Sequence, residues 1–186
     1  MIRARHRAVC NPGPDRRISK MTSAITQDRT LEHMPVSPYL KSLRDRVGSD
    51  LLLLPAVSAV IRNGVGEVLL ALSHGNDQWG LIGGGLEPGE EPISAIAREI
   101  REELGVEAEV EQIIGAYGGE DMFITYPNGD RCAYVTTAYA CRLVSDAFTL
   151  EEDELREVAW FTPADISRLA TQPYVPLILA DAGITT

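Results

Sequence analysis

The chain has 186 residues, 45% hydrophobic and 24% charged, enough for one sizeable core in a globular domain. Its longest apolar run, Leu51 to Ile61, is broken by Pro55 and Ser58. That run falls far short of the ~20 residues a spanning helix needs, so no membrane segment is expected. The net charge of −10 is unevenly placed: residues 1–29 carry seven Lys/Arg against two Asp/Glu, and the remainder ten against 25. Such an acidic body excludes a general nucleic-acid-binding surface, which works by neutralising phosphates with Lys and Arg.

Taken in chain order, residues 1–33 are Arg-rich, carry Pro12 and Pro14 and show no sustained apolar period. They predict a disordered basic arm or a mis-assigned start, with Met21 and Met34 as alternative starts. Residues 34–50 predict a short helix, from the spacing of Leu40, Leu43 and Val47 between Tyr39 and Val47, stopped by Gly48. The domain proper is expected over 51–184. Its strand candidates are Leu53 to Ile61, Val68 to Ser73, Val110 to Tyr117, Met122 to Tyr126, Cys132 to Leu143 and Val158 to Phe161. Pro127-Asn128-Gly129-Asp130 reads as a hairpin turn, and Pro163 to Ala170 as a helix capped by Thr162. Cys10, Cys132 and Cys141 cannot all pair, which predicts reduced thiols in a cytoplasmic protein. Cys132 and Cys141 share one strand candidate at odd separation, so they should face opposite ways and not share a metal.

The most informative window is Gly84 to Val106, GGLEPGEEPISAIAREIREELGV. Ile93, Ile96, Ile100 and Leu104 recur at three- and four-residue spacing and predict a helix with a buried stripe. At about 100° per residue, the same helix groups Glu99, Glu102 and Glu103 within one neighbouring arc, so that three carboxylates are expected to converge. Like charges on one face weaken a helix and ask for a counter-charge. A hard divalent cation supplies it, magnesium first with manganese as substitute, held by one or two carboxylates together with substrate phosphates. Gly83, Gly84, Gly85 and Gly89 permit a close backbone approach to a phosphate, while neither a dinucleotide-binding nor a P-loop spacing is present.

Read position by position, this window resembles the Nudix box: Gly84, five residues, Glu90, seven residues, then Arg98-Glu99-Ile100-Arg101-Glu102-Glu103-Leu104-Gly105-Val106. Seven positions demand one residue type each, and at about 7% per type a chance match is on the order of 10⁻⁸ per starting point. The resemblance to Nudix hydrolases implies an α+β fold over roughly residues 53–170: an α/β/α sandwich with a mixed β-sheet and the box loop-helix between strands. It also implies metal ligation by Glu99, Glu102, Glu103 and the Gly84 carbonyl, and an Arg98 that orients a glutamate such as Glu90 rather than merely pairing with Glu102. A further acidic residue from a late loop is expected as ligand or general base, Glu154 first and Glu120 second. Trp79-Gly80-Leu81-Ile82-Gly83-Gly84 resembles the family's lead-in, with Ile82 where proline is common. For substrate contact the candidates are Gly83, Gly84 and Gly85, with Trp79 weighed against a core role and His74 against simple exposure.

The function so implied is magnesium-dependent hydrolysis of a pyrophosphate bond in a nucleoside diphosphate linked to another moiety, with Glu103, Glu102, Arg98 and Glu154 as the catalytic set. Nucleotide sugars and ADP-ribose rank first as substrates and nucleoside triphosphates second. Asp121 and Met122 stand where a subfamily proline would, and Tyr117 and Tyr126 flank the position of a subfamily tyrosine, so no finer tag applies. The alternatives are a nucleotide-sensing module without turnover, or a prenyl diphosphate isomerase needing a cysteine and glutamate pair. The partner expected is a small nucleotide, and the protein itself is expected to form a homodimer.

Overall fold

The computed structural model describes residues 37–185 apart from 75, 127, 146 and 151–153; the expected basic arm and its alternative starts lie outside them. The described chain opens with α1, Pro38–Val47. Ser37 Oγ caps it by accepting from the Leu40 N–H at 3.2 Å, and Gly48, at φ 63°, ends it by donating to the Arg44 carbonyl. No residue of α1 is buried. Arg44 pins it: its guanidinium donates to the carbonyls of Gly48, Asp50 and Arg131 at 3.1, 2.7 and 2.9 Å.

The strands are β1 (Leu52–Ile61), β2 (Val68–Ser73), β3 (Ala108–Tyr117), β4 (Phe123–Thr125), β5 (Arg131–Leu143) and β6 (Leu155–Phe161). β5 is the centre of a mixed sheet, parallel to β1 from Leu52↔Cys132 to Ile61↔Cys141, and antiparallel to β3 and to β4. β2 and β6 form a separate antiparallel pair. Ala56 to Ile61 are buried without interruption, as a parallel strand covered on both faces requires. The expected hairpin is present: β4 and β5 pair, and the Tyr126 N–H donates to the Asp130 carbonyl at 2.8 Å.

Between β2 and β3 runs the box helix α2, Pro92–Leu104, with Pro92 in its first turn and Gly105 ending it at φ 63°. Of the expected stripe, Ile96, Ile100 and Leu104 are fully buried with Val57, Ala59, Ile61, Tyr139 and Cys141 on one face of the mixed sheet, whereas Ile93, in the first turn, is exposed. Burying each of these large side chains stabilises the fold by about 1.5–3 kcal/mol. On the other face Val60, Tyr117 and Ala138 pack with Ile178 and Leu179 of the final helix α4, Tyr174–Asp181. The result is the sandwich of helix, mixed sheet and helix implied by the resemblance. Cys132 and Cys141 stand on opposite faces of β5, as their odd separation predicts.

Two expectations about the C-terminal region need correction. The helix foreseen over Pro163 to Ala170 is only α3, Pro163–Ile166. Beyond it Arg168 and Leu169 donate to carbonyls three residues back, at 3.0 Å each, so the chain tightens and then extends to bridge Thr171 to Trp79. α4 itself was not foreseen. Its Tyr-Val-Pro-Leu-Ile-Leu-Ala run is apolar nearly all round, with Pro176 inside, and periodicity cannot separate such a run from a buried strand. Among the described residues no helix is long and apolar enough to cross a membrane.

Candidate active site

The segment from Trp79 to Leu86 lies in the seam between the two sheets. On one side the Ala71 and Gly80 backbones exchange hydrogen bonds at 2.9 and 3.0 Å, tying the segment to β2. On the other the N–H groups of Ala59 and Val57 donate to the carbonyls of Ile82 and Gly84 at 2.8 and 2.9 Å, tying it to β1. Gly83 has φ 150°, and a Cβ there would lie 2.1 Å from the Val57 carbonyl oxygen, so the close approach to β1 demands glycine. At Gly84 a Cβ would sit 2.4 Å from Glu99 Oε1, so a side chain here would have to displace the carboxylate packed over it.

Against this cradle α2 presents two buried carboxylates, Glu99 and Glu103, one turn apart. Burial raises the Glu99 pKa, with Arg98 opposing. Glu103 is raised well above the ordinary carboxylate range, first by burial, then by the charges of Glu99 and Glu154, although the Gly83 N–H bonds to it. One of its oxygens, Oε2, is buried with no hydrogen-bond partner. Glu154, partly buried at the turn into β6, is therefore close enough for its charge to act on both glutamates. Glu120 stands exposed in a 3₁₀ turn after β3.

Arg98 organises the rim. Its Nε and Nη2 grip both oxygens of Glu90 at 2.8 and 2.9 Å, Nη1 donates to Glu99 at 2.9 Å and to Glu102 at 2.8 Å, and Nη2 also reaches the Gly85 carbonyl at 3.1 Å. Glu90 is held below its usual pKa by Arg98, and in turn accepts from the Glu87 N–H at 3.1 Å. The two readings of Arg98 are thus both present, since it holds Glu90 and pairs with Glu102. The three carboxylates come together unevenly: Glu102 shares Arg98 Nη1 with Glu99 and its charge acts on Glu99 and Glu103, but it is exposed, so the buried set is the pair Glu99 and Glu103. Among the described residues no three His, Cys, Asp or Glu side chains form a ready ligand group.

Of the remaining candidates, Trp79 packs edge-on to Phe161, ring centroids 4.7 Å apart, and so belongs to the core on the α4 side. His74 is exposed, and its backbone N–H donates to the Glu154 carbonyl at 3.2 Å, which holds these two candidates together. Cys141 does face α2, but its apolar side, among Ile96, Ile100 and Leu104; burial pushes its thiol up to about 12. Cys132 accepts from Arg44 Nη2 at 3.0 Å. Neither thiol is in the glutamate cluster, so among the described residues the pair a prenyl diphosphate isomerase would need is not assembled.

One residue of the site was missed. Tyr174, at the start of α4, reaches under the lead-in segment: its phenol oxygen lies 3.1 Å from where a Gly80 Cβ would be, and the Leu81 backbone acts on it electrostatically. Burial pushes this phenol up to about 12, and the charge of Glu103 adds to the effect. Nothing in the spacing of an apolar C-terminal run pointed to it.

Fold, box spacing and buried glutamates together define a hydrolase of the Nudix type. The family model described as NUDIX domain matches residues 52–179, and the chain belongs to that family, whose hydrolases generally use a divalent metal. By that membership it is a pyrophosphohydrolase. It is 31% identical over 110 residues to the nucleoside triphosphatase NudI of Enterobacter sp. (strain 638), a match spanning 58% of this chain and 77% of that protein. A solved NUDIX hydrolase from Nitrosomonas europaea superposes with a TM-score of 0.57 at 27% identity, covering 72% of this chain and 92% of that one. The structure of a UDP-X diphosphatase shares the fold, with a TM-score of 0.56 at 21% identity over 78% of this chain and 70% of that one.

Proposed function

We propose that this chain hydrolyses a phosphoanhydride bond within a small nucleotide, with magnesium, or manganese in its place, held by Glu99, Glu103, the Gly84 carbonyl and Glu102. The observation that carries the reading is Glu103 Oε2, a buried oxygen without a partner beside a second buried carboxylate. An unpaired buried charge of this kind is expensive, and the donors offered to a cation are all hard oxygens, which suit magnesium. A Cβ at Gly84 would fill the cradle, which supports the same fit. Such a cation supplies charge neutralisation at phosphate oxygens.

The residues themselves do the rest. Gly83 and Gly85 present backbone to the phosphates. Arg98 holds Glu90 and the box loop in place, and releases Glu102 when that carboxylate turns inward. Glu103 accepts the proton of the attacking water as oxygen bonds to phosphorus and the bridging P–O bond breaks; Glu154 is the second candidate for that proton. Among substrates, nucleoside triphosphates come first, because a relative 31% identical and covered over 77% of its length is a nucleoside triphosphatase, whereas the likeness to the UDP-X diphosphatase is one of fold. Nucleotide sugars and ADP-ribose follow.

The test is release of nucleoside monophosphate, pyrophosphate or phosphate from a panel of triphosphates, nucleotide sugars and ADP-ribose, with and without magnesium, for wild type and Glu103→Gln. Magnesium-dependent turnover lost in the variant supports the proposal. Binding without turnover across the panel would replace it with a sensing module. The reading carries with it a cytoplasmic setting and a homodimer, and a clean monomer on a sizing column at micromolar concentration would remove the dimer.

A further inference from the structure

Neither Glu99 nor Glu103 is held by its own helix alone. Both are placed against the backbone of residues 83 and 84, and that backbone is only as fixed as the strand-like segment leading into it. β1 and β2 tie the segment down within the sheets. A third tie comes from the C-terminal region, where the Trp79 N–H donates to the Ala170 carbonyl at 2.8 Å and the Gln172 N–H to the Trp79 carbonyl at 2.9 Å. These bonds end at Trp79 and those of β2 at Gly80, so Leu81 alone stands between them and the stitched Ile82. Tyr174 of α4 meets that step, its oxygen 3.1 Å from where a Gly80 Cβ would lie and within the influence of the Leu81 backbone.

We propose that the Tyr174 hydroxyl is a positioning residue of the active site, fixing the Gly80–Leu81 step from the opposite layer of the sandwich and through it the Gly83–Gly84 cradle under Glu103. The inference rests on the metal-binding reading given above. Gly80 follows as a second member of the device: its φ is not in the left-handed region, so what a side chain there would press on is the phenol oxygen 3.1 Å away.

That contact supplies the test. Manganese alone is titrated, by electron paramagnetic resonance, into wild type, Tyr174→Phe, Gly80→Ala and the double variant, with the thermal midpoint of each metal-free protein measured alongside. Phenylalanine keeps the ring and removes only the oxygen. The expected result is manganese affinity about 10-fold weaker in Tyr174→Phe, the scale of loss when a group supporting metal ligands is removed, with the midpoint changed by no more than a few degrees. Gly80→Ala should weaken binding similarly by displacing the hydroxyl, and should add nothing once the oxygen is gone, because the two act on one contact. Wild-type affinity in Tyr174→Phe, or losses that simply add in the double variant, would overturn the inference while leaving the metal site standing. A wild-type protein that takes up no manganese would overturn the proposed function, and this inference with it.

Discussion

Glu103→Gln should stabilise the metal-free protein while destroying its activity. A carboxyl whose pKa stands higher in the folded state than in the unfolded chain binds its proton more tightly when folded. Its contribution to stability is therefore best below the unfolded value, about 4.3, and is lost as pH rises from there through the elevated folded pKa. Each unit of that elevation costs about 1.4 kcal/mol once the group is ionised. The partnerless Oε2 supplies a second route to the same magnitude, since an unsatisfied buried polar atom costs about 1–3 kcal/mol. Glutamine keeps the shape and removes the charge, so a gain of about 1–3 kcal/mol at neutral pH, or roughly 3–9 °C in the thermal midpoint, is expected. The assay is thermal unfolding followed by circular dichroism in chelator, at steps between about pH 5 and pH 8. Wild type should lose stability across that range, and the variant should lose less, the remainder belonging to Glu99, which is shifted in the same direction. Adding magnesium should then raise the wild-type midpoint by mass action and leave the variant nearly unmoved. A variant no more stable than wild type at the upper end, with the same pH slope, would refute the account of Glu103 as an unpaired buried charge.

Gly84→Ala places a methyl group 2.4 Å from Glu99 Oε1, and kcat should fall about 10- to 100-fold with the circular dichroism spectrum intact; wild-type turnover would show that Glu99 is not part of the site. Arg98→Lys loses the two-pronged grip on Glu90 and the reach to Glu99 and Glu102 together, and kcat should drop by about 10-fold or more, because a single ammonium cannot copy a planar fork. Glu154→Gln should cost about 100-fold in kcat if that residue takes the proton, against little change for Glu120→Gln, and the reverse order would exchange their roles. Ile100→Ala should lower the denaturant midpoint by the equivalent of about 2–5 kcal/mol, since the side chain is wholly enclosed by the sheet.

The box helix and its partner glycines were legible because they are written in local spacing: a 3.6-residue apolar period, a first-turn proline, and a closing glycine. The strands were legible for a similar reason, their ends marked by Gly, Asn and Pro. What spacing could not reveal was the division of labour among the glutamates. Angular proximity on a helix grouped Glu102 with its neighbours, but Arg98 and solvent draw it out while the sheet edge buries the other two. α4 was illegible because it is apolar on nearly every side, and Tyr174 because its meaning depends on a segment almost a hundred residues earlier. Likewise the parallel register of β1 on β5, and the grip of Arg44 on β5, are non-local facts.

The double stitching of residues 80–84 into β1 and β2 bears on how such a site can drift over generations. Those stitches are made by amide and carbonyl groups, which every residue but proline possesses in full, so the side chains between them are released from the duty of shaping the turn. Ile82 can then be spent on filling the interior, where it is completely enclosed, without disturbing the glycine two residues on that faces Glu99. A side chain is forbidden at Gly83, where the β1 backbone already occupies the space, and at Gly80 and Gly84 it would have to displace the Tyr174 hydroxyl or the Glu99 carboxylate. A lineage built this way can exchange the residues that meet its substrate one at a time, while its hydrolytic apparatus stays in register.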